Sequence, residues 1–215
     1  LCGCWGGRRD AILSIAEFSP VSNTQRPLTE QMTELAEALA DGDLHCCDAL
    51  LQRLGSPPPV LKWMPGRDDL PNNGSADLLD WWHEMRAADK APPVSVIEPE
   101  QFTSVLGNVV LLESQEDGLD FRVRLFGSKI QARPGKDTTG QLISEVWTPL
   151  RQYFLVNYQA VCRRSEPLYS RHTPAISISR TGWDRLVLPF LEDGRVARML
   201  VSVHPSVRQD IGREG

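Results

Sequence analysis

Apolar and polar residues alternate strictly from Asp120 to Leu125. The apolar positions there are Phe121, Val123 and Leu125. Alternation with a period of two is typical of a β-strand that is buried on one side, so we predict a strand that ends at Gly127. Arg122 and Arg124 fall on its polar side, where we expect them to be solvated or ion-paired.

Four other apolar runs also predict strands. They cover residues 107–112, 168–178, 183–190 and 196–203. Glu192, Asp193 and Gly194 separate the last two runs, and an Asp-Gly step tolerates the positive φ values that a tight reversal requires. We therefore predict that these two runs form a β-hairpin.

Apolar residues at helical spacing predict two short helices early in the chain and a long one later. The short helices carry Met32, Leu35, Ala36 and Leu39, and then Leu44, Cys47, Leu51 and Leu54. The long helix, which runs to about Arg164, carries Leu150, Tyr153, Phe154, Asn157, Tyr158 and Val161. Short isolated helices are marginal in water, so the helical hairpin needs a partner surface, on the main domain or on a second copy.

Proline, glycine and asparagine are concentrated in residues 56–74. These residues break both helices and strands, so the segment is the natural linker. The predicted organisation is an N-terminal helical extension over residues 1–75, a main domain over residues 76–204 and a C-terminal tail over residues 205–215. We assign no function to residues 1–26.

A helix from Asp77 to Arg86 is predicted to carry an unusually large aromatic load. Leu78, Trp81, Trp82 and Met85 fall at positions i, i+3, i+4 and i+7. Adjacent helical residues are about 100° apart, so one of the two tryptophans should lie at the edge of the apolar stripe. The stripe either closes the core or forms an interface for self-association, because aromatic residues are enriched at interface centres.

Composition excludes several classes of protein. The net charge of -5 and the pI near 5.4 argue against nucleic-acid binding, which needs a clustered basic face. No apolar run approaches the roughly 20 residues that cross a bilayer. The first 20 residues also lack the pattern of a secretory signal. We therefore expect a cytoplasmic protein without a membrane or nucleic-acid partner.

The odd number of cysteines, five, argues against a disulfide framework and fits a reducing compartment. Zinc prefers thiolate and imidazole ligands. The candidates are Cys2, Cys4, His45, Cys46 and Cys47. The usual gaps of two or more residues between paired ligands are missing, so we predict no metal site.

Several motifs occur in an order that resembles the proteobacterial PAS_5-type family of PAS domains. A helix with tryptophan comes first and is followed by the FRxRLxG strand at Phe121–Gly127. A G-x-D-x-T-G turn follows, and its residues are Gly135, Asp137, Thr139 and Gly140. The last motif begins with Asp184, continues with RLxLP at Arg185–Pro189 and ends with the Asp193-Gly194 turn. The resemblance covers about residues 76–204.

The resemblance implies an α+β fold, the PAS fold, with a five-stranded antiparallel sheet and helices inserted after the second strand. It also implies a non-catalytic sensor or adaptor that binds a small molecule or a partner protein. Such a protein regulates signalling proteins such as a histidine kinase in trans, as a homodimer. Haem and flavin are disfavoured: residues 147–164 contain no histidine, and the chain has no Asn-Cys-Arg motif.

A ligand pocket is expected between the sheet and the short helices, where a PAS fold leaves concave space. Asn157 motivates this choice, because it is polar on an otherwise apolar helix face. The predicted lining residues are Phe126, Ile130, Phe154, Asn157, Tyr158, Leu186 and Met199.

Two other functions remain open on the sequence. One is a structural dimerisation module without a ligand. The other is an enzyme in which His172 and Asp184 act as a base pair and Ser177 or Ser179 as the nucleophile. The chain contains no nucleophile elbow, phosphate loop or HExxH motif, which argues against the enzyme. We expect His172 and His204 to be structural.

Overall fold

A computed structural model describes residues 28–86, 89–98, 106–131, 137–173 and 182–206. Its helices are α1 (Leu28–Ala40), α2 (Asp48–Gln52), α3 (Asn73–Met85), α4 (Ser128–Gln131) and α5 (Arg151–Arg164). Its strands are β1 (Val60–Trp63), β2 (Val109–Gln115), β3 (Asp120–Phe126), β4 (Leu168–His172), β5 (Trp183–Glu192) and β6 (Arg195–Pro205). Each predicted helix and strand therefore has a counterpart, although α2 covers only part of its predicted range. Residues 174–178 of the strand predicted over 168–178 lie outside the described residues.

The strands form one antiparallel sheet in the order β1-β4-β5-β6-β2-β3. Helices α4 and α5 are inserted between β3 and β4, as predicted. The α+β class and the PAS fold are confirmed, but the strand count of five is wrong, because the sheet has six strands.

The sixth strand, β1, lies in the segment that we predicted to be a linker. Val60 pairs with Arg171 and Trp63 pairs with Leu168, so β1 lies at the edge of the sheet beside β4. Prolines disfavour a central strand, but they are tolerated at the ends of an edge strand. Pro59 and Pro65 flank β1 and allow its four residues to pair.

Helices α1, α2 and α5 cover one face of the sheet, which we call the inner face. Leu39 of α1 and Leu51 of α2 are fully buried, and they belong to the same apolar cluster as Val156 of α5 and Leu168 of β4. The helical hairpin therefore packs on its own main domain. Arg164 strengthens this contact, because its Nη1 donates to the carbonyl of Ala40.

Helix α3 covers the opposite face, which we call the outer face. The helix begins where the Asn72 side chain accepts a hydrogen bond from the backbone N–H of Ser75. Trp82 is fully buried, and its indole Nε1 donates to the carbonyl of Pro189 at 2.8 Å. The outer-face cluster also contains Leu186, Leu188 and Leu200.

The predicted turns are largely confirmed. Asp193 and Gly194 both have positive φ values, 51° and 76°, which form the tight β5–β6 reversal. Gly140 has φ +88°, and Asp137 accepts hydrogen bonds from the backbone and hydroxyl groups of Thr139. Gly127 does not lie in the left-handed region.

The two polar-face arginines of β3 behave as predicted. Arg124 pairs with Glu113 of β2, and Arg122 donates to the carbonyl of Gly140. Within the described ranges, no helix is long and apolar enough to cross a membrane. Gly135, the first residue of the G-x-D-x-T-G turn, lies outside those ranges.

Candidate functional site

An arginine is buried on the inner face, where most neighbours are apolar. Arg185 lies on β5 in the same orientation as Val187, which belongs to the inner core, and only 9% of it is exposed. Its guanidinium carbon lies 4.0 Å from the centre of the Phe154 ring. Its Nη2 donates a hydrogen bond to the hydroxyl of Tyr158. Two residues of α5 therefore hold the guanidinium group against the helix.

A histidine lies beside this arginine. His172, on β4, is 4% exposed. Its ring centre lies 5.5 Å from that of Tyr153 and 5.8 Å from that of Phe154. Burial, together with the positive charge of Arg185, lowers the pKa of His172 to about 3. The imidazole is therefore neutral at physiological pH, and its buried Nδ1 has no hydrogen-bond partner among the described residues.

Asn157 on α5 is the third buried polar group of the inner face. Its Nδ2 donates to the carbonyl of Tyr153 at 2.6 Å, one turn earlier in the helix. Its Oδ1 is buried and has no hydrogen-bond partner in the described part of the chain. A buried polar atom without a partner costs free energy, so this oxygen can accept a hydrogen bond from a bound molecule.

The structure brings five of the seven predicted pocket residues into one cluster. Phe126, Ile130, Phe154, Tyr158 and Met199 belong to the inner cluster or pack against it, and Asn157 is buried on the same helix as Tyr158. Leu186 lies instead on the outer face with Leu188 and Tyr169. Along β5, successive residues point to opposite faces, so Leu186 faces away from α5 and Arg185 faces it.

The predicted pocket residues did not include Arg185 or His172. The strand period could have indicated Arg185, since it has the same parity as Val187 in a strand that is buried on both sides. His172 was expected to be structural, because a histidine on a strand is more often a structural residue than a metal ligand. Its ring contacts come from α5, which is distant in the chain.

The stripe on α3 is divided between the core and the surface. Leu78 and Trp82 are buried against the outer face and contribute to the chain's own core. Trp81 lies at the edge, half-buried, with its ring centre 5.9 Å from that of Phe190. Met85 is also half-buried, so Trp81 and Met85 are the parts of the stripe that a partner could contact.

A shallow cleft of about 310 Å³ lies where β1 and residues 67–71 meet β4. Its lining residues are Val60, Lys62, Asp68, Asp69, Pro71, Tyr169 and Arg171. Next to it, Asp184 accepts hydrogen bonds from the Tyr169 hydroxyl at 2.6 Å and from Arg171 Nε at 2.7 Å. This network joins β4 to β5 on the outer face.

The candidate enzyme residues are not brought together. His172 contacts the α5 rings on the inner face, while Asp184 pairs with Tyr169 and Arg171 on the outer face. Ser177 and Ser179 lie outside the described residues.

The metal candidates are only partly described. The sulfur atoms of Cys46 and Cys47 are 3.8 Å apart, and His45 forms a hydrogen bond with Asp48. Cys2 and Cys4 lie outside the described residues. In the parts of the chain that the structure covers, no group of three or more His, Cys, Asp or Glu side chains could hold a metal ion.

His204 contacts Ser202 at 3.1 Å on the outer face.

Comparison with known proteins identifies one family. The family model described as PAS domain matches residues 71–200. No curated protein and no solved structure matches the chain. The matched stretch covers more than half of the 215 residues and spans α3 and β2 to β6 up to Leu200. The finer division into residues 1–75, 76–204 and 205–215 stays a prediction.

Proposed function

Because the chain belongs to the PAS_5 family of PAS domains, we propose that it is a non-catalytic sensor or adaptor that binds a small ligand on its inner face. The family indicates a sensory or signalling role. The observation that supports ligand binding is the burial of three polar residues, Arg185, His172 and Asn157, among the elements of the inner face. An interior evolved only for packing would gain stability from apolar residues at these positions.

The proposed signal passes from the inner face to a partner by contact. Helix α5 carries Phe154 and Tyr158 toward the site and contacts α1 on its other side through Arg163 and Arg164. A ligand that moved α5 would therefore change the packing of the N-terminal helices. The proposed partner is a signalling protein such as a histidine kinase, in the cytoplasm. Cys46, Cys47 and Cys162 are free thiols, which supports a reducing compartment.

Native mass spectrometry of the protein purified from cells tests ligand binding. We expect a retained small molecule in the wild-type protein and its loss in an Asn157→Leu variant, because that change removes polar atoms from the inner face. A Trp147→Ala variant is the matched control, since Trp147 is 93% exposed. Wild-type protein that carries no molecule, or a molecule kept equally by Asn157→Leu, would contradict the proposed site.

We also propose that the protein forms a homodimer through the edge of the apolar stripe on α3. Trp81 and Met85, which are both half-buried, are the residues that such an interface would contact. Replacing Trp81 by Glu should leave the fold intact and convert a dimer into a monomer in sedimentation, whereas Trp147→Glu should not. A wild-type protein that is monomeric at high concentration would refute self-association.

A structural dimerisation module without a ligand is the second candidate function. The stacking of Arg185 on Phe154 at 4.0 Å favours it, since this contact fills space on the inner face. Native mass spectrometry distinguishes the two, because a dimer without a retained molecule supports the module.

A further inference from the structure

No carboxylate of the described residues neutralises the buried positive charge of Arg185. No Asp or Glu among the described residues forms an ion pair with it; its contacts are the Tyr158 hydroxyl and the Phe154 and Tyr158 rings. Moving an arginine out of water costs several kcal/mol unless it is paired. One neutral hydrogen bond and two ring contacts compensate this cost only in part.

The titratable neighbours of Arg185 cannot supply the missing negative charge. Burial raises the pKa of both Tyr153 and Tyr158 above the ordinary range of tyrosine, so both phenols stay protonated. His172 has a lowered pKa and stays neutral. The group formed by these four residues therefore carries a net charge of about +1 at neutral pH.

A second arginine in the same pair of strands, Arg171, is paired with a carboxylate. Arg171 lies next to His172 but points to the outer face, where its Nε donates to Asp184 at 2.7 Å. Arg171 is more exposed than Arg185, yet it has the carboxylate partner. In the described part of the chain, the more exposed arginine thus has a carboxylate partner and the more deeply buried one has none.

We propose that Arg185 binds the carboxylate of a small organic acid on the inner face. This proposal rests on the proposed ligand-binding function and specifies the class of ligand. A planar guanidinium group matches a carboxylate through two parallel hydrogen bonds. His172 Nδ1, which is buried without a partner in the described chain, lies near Arg185 through the shared contact with Phe154 and is available to a polar group of the same molecule.

The surroundings favour a monocarboxylate with an apolar body over an inorganic phosphate. One guanidinium group balances the single negative charge of a carboxylate, while a phosphate dianion would keep one negative charge unbalanced. The rings of Phe154 and Tyr153 lie beside His172 and can cover apolar atoms of the ligand.

Binding of benzoate and propionate, compared with their neutral amides, tests the charge requirement. Isothermal titration calorimetry of the full chain should show at least one acid binding about 10-fold to 100-fold more tightly than its amide, the range expected for hydrogen bonds to a charged group. Equal affinity of acid and amide, no binding of either acid at millimolar concentration, or tighter binding of inorganic phosphate would overturn the proposal.

Variants of Arg185 test the residue itself. The double variant Arg185→Met/Tyr158→Phe removes the charge without leaving the phenol unpaired, and it should lose the preference for the acid. Arg185→Lys keeps the charge and should weaken binding of the acid by about tenfold, because it loses the planar pair of donors. Arg124→Met, which removes a surface arginine, should bind the acid as the wild type does. If the double variant does not fold, the affinity of Arg185→Lys for the acid tests the role of Arg185.

Three results overturn the assignment of Arg185. They are undiminished acid binding in the double variant, an unchanged affinity in Arg185→Lys, and a loss of binding in Arg124→Met as large as in the Arg185 variants. A neutral molecule retained in native mass spectrometry would overturn the carboxylate class but leave the sensor function standing. The failures of the two proposals are therefore distinguishable.

Discussion

His172 should make the stability of the protein depend on pH, and the His172→Phe variant should remove that dependence. The folded state holds the imidazole neutral, with a pKa of about 3 against an ordinary value of 6.5. As the pH falls below about 6.5, the unfolded chain binds a proton at this residue and the folded chain does not. The free energy of unfolding therefore decreases as the pH falls.

The expected size of the effect follows from the two pKa values. Each pH unit between them changes the free energy of unfolding by about 1.4 kcal/mol. Between pH 7 and pH 6 the unfolding free energy changes by less than this, because the imidazole of the unfolded chain is only partly protonated there. Between pH 7 and pH 5 the contribution of His172 should therefore be a loss of about 2 kcal/mol.

Urea unfolding of wild type and variants at pH 7, 6 and 5 measures this contribution. Phenylalanine keeps the ring contacts with Tyr153 and Phe154 and has no proton to bind, so the difference in unfolding free energy between His172→Phe and wild type should grow by about 2 kcal/mol toward pH 5. His45→Asn is the control, because His45 is exposed. A difference that does not change with pH, or that also appears in His45→Asn, would refute the reasoning.

Three further changes test the packing and the thiols. In urea titration, Trp82→Ala should lower the free energy of unfolding by about 3–5 kcal/mol, while Trp147→Ala should change it by less than about 0.5 kcal/mol. Equal effects of the two variants would contradict the burial of Trp82. Leu51→Ala should cost about 2–5 kcal/mol if α2 belongs to the core, and a neutral result would show that it does not. Cys46 should react with iodoacetamide faster than Cys47, as measured by mass-spectrometric mapping. A hydrogen bond from Cys47 lowers the pKa of Cys46, whereas Cys47 is fully buried. Faster reaction of Cys47 would contradict this prediction.

Most of the secondary structure could be predicted from local patterns. The alternation in β3 and the spacing in α5 depend on which faces are buried, and both patterns appear in a short window of sequence. The Asp-Gly turn between β5 and β6 was also predictable, because the requirement for positive φ is a property of two residues. The ordered motifs were sufficient for the family, since the motifs and the family model cover nearly the same residues.

Edge pairing was harder to predict, because it depends on a partner that is distant in the chain. Val60–Trp63 is short and flanked by prolines, so nothing local marks it as a strand. It becomes one because β4 offers an unpaired edge about 110 residues later. The same argument applies to the helical hairpin, whose apolar stripes left open whether it packs on its own domain or on a second copy.

The sequence by itself determined most of the elements, their order and the family, because helix and strand periods and turn chemistry act over a few neighbouring residues. Only the tertiary structure decided which groups share an environment. It separated His172 from Asp184 by placing them on opposite faces of the sheet, and it placed Arg185 beneath α5, where no Asp or Glu of the described ranges pairs with it. The physical reason is that burial and charge pairing are set by contacts between segments far apart in the chain.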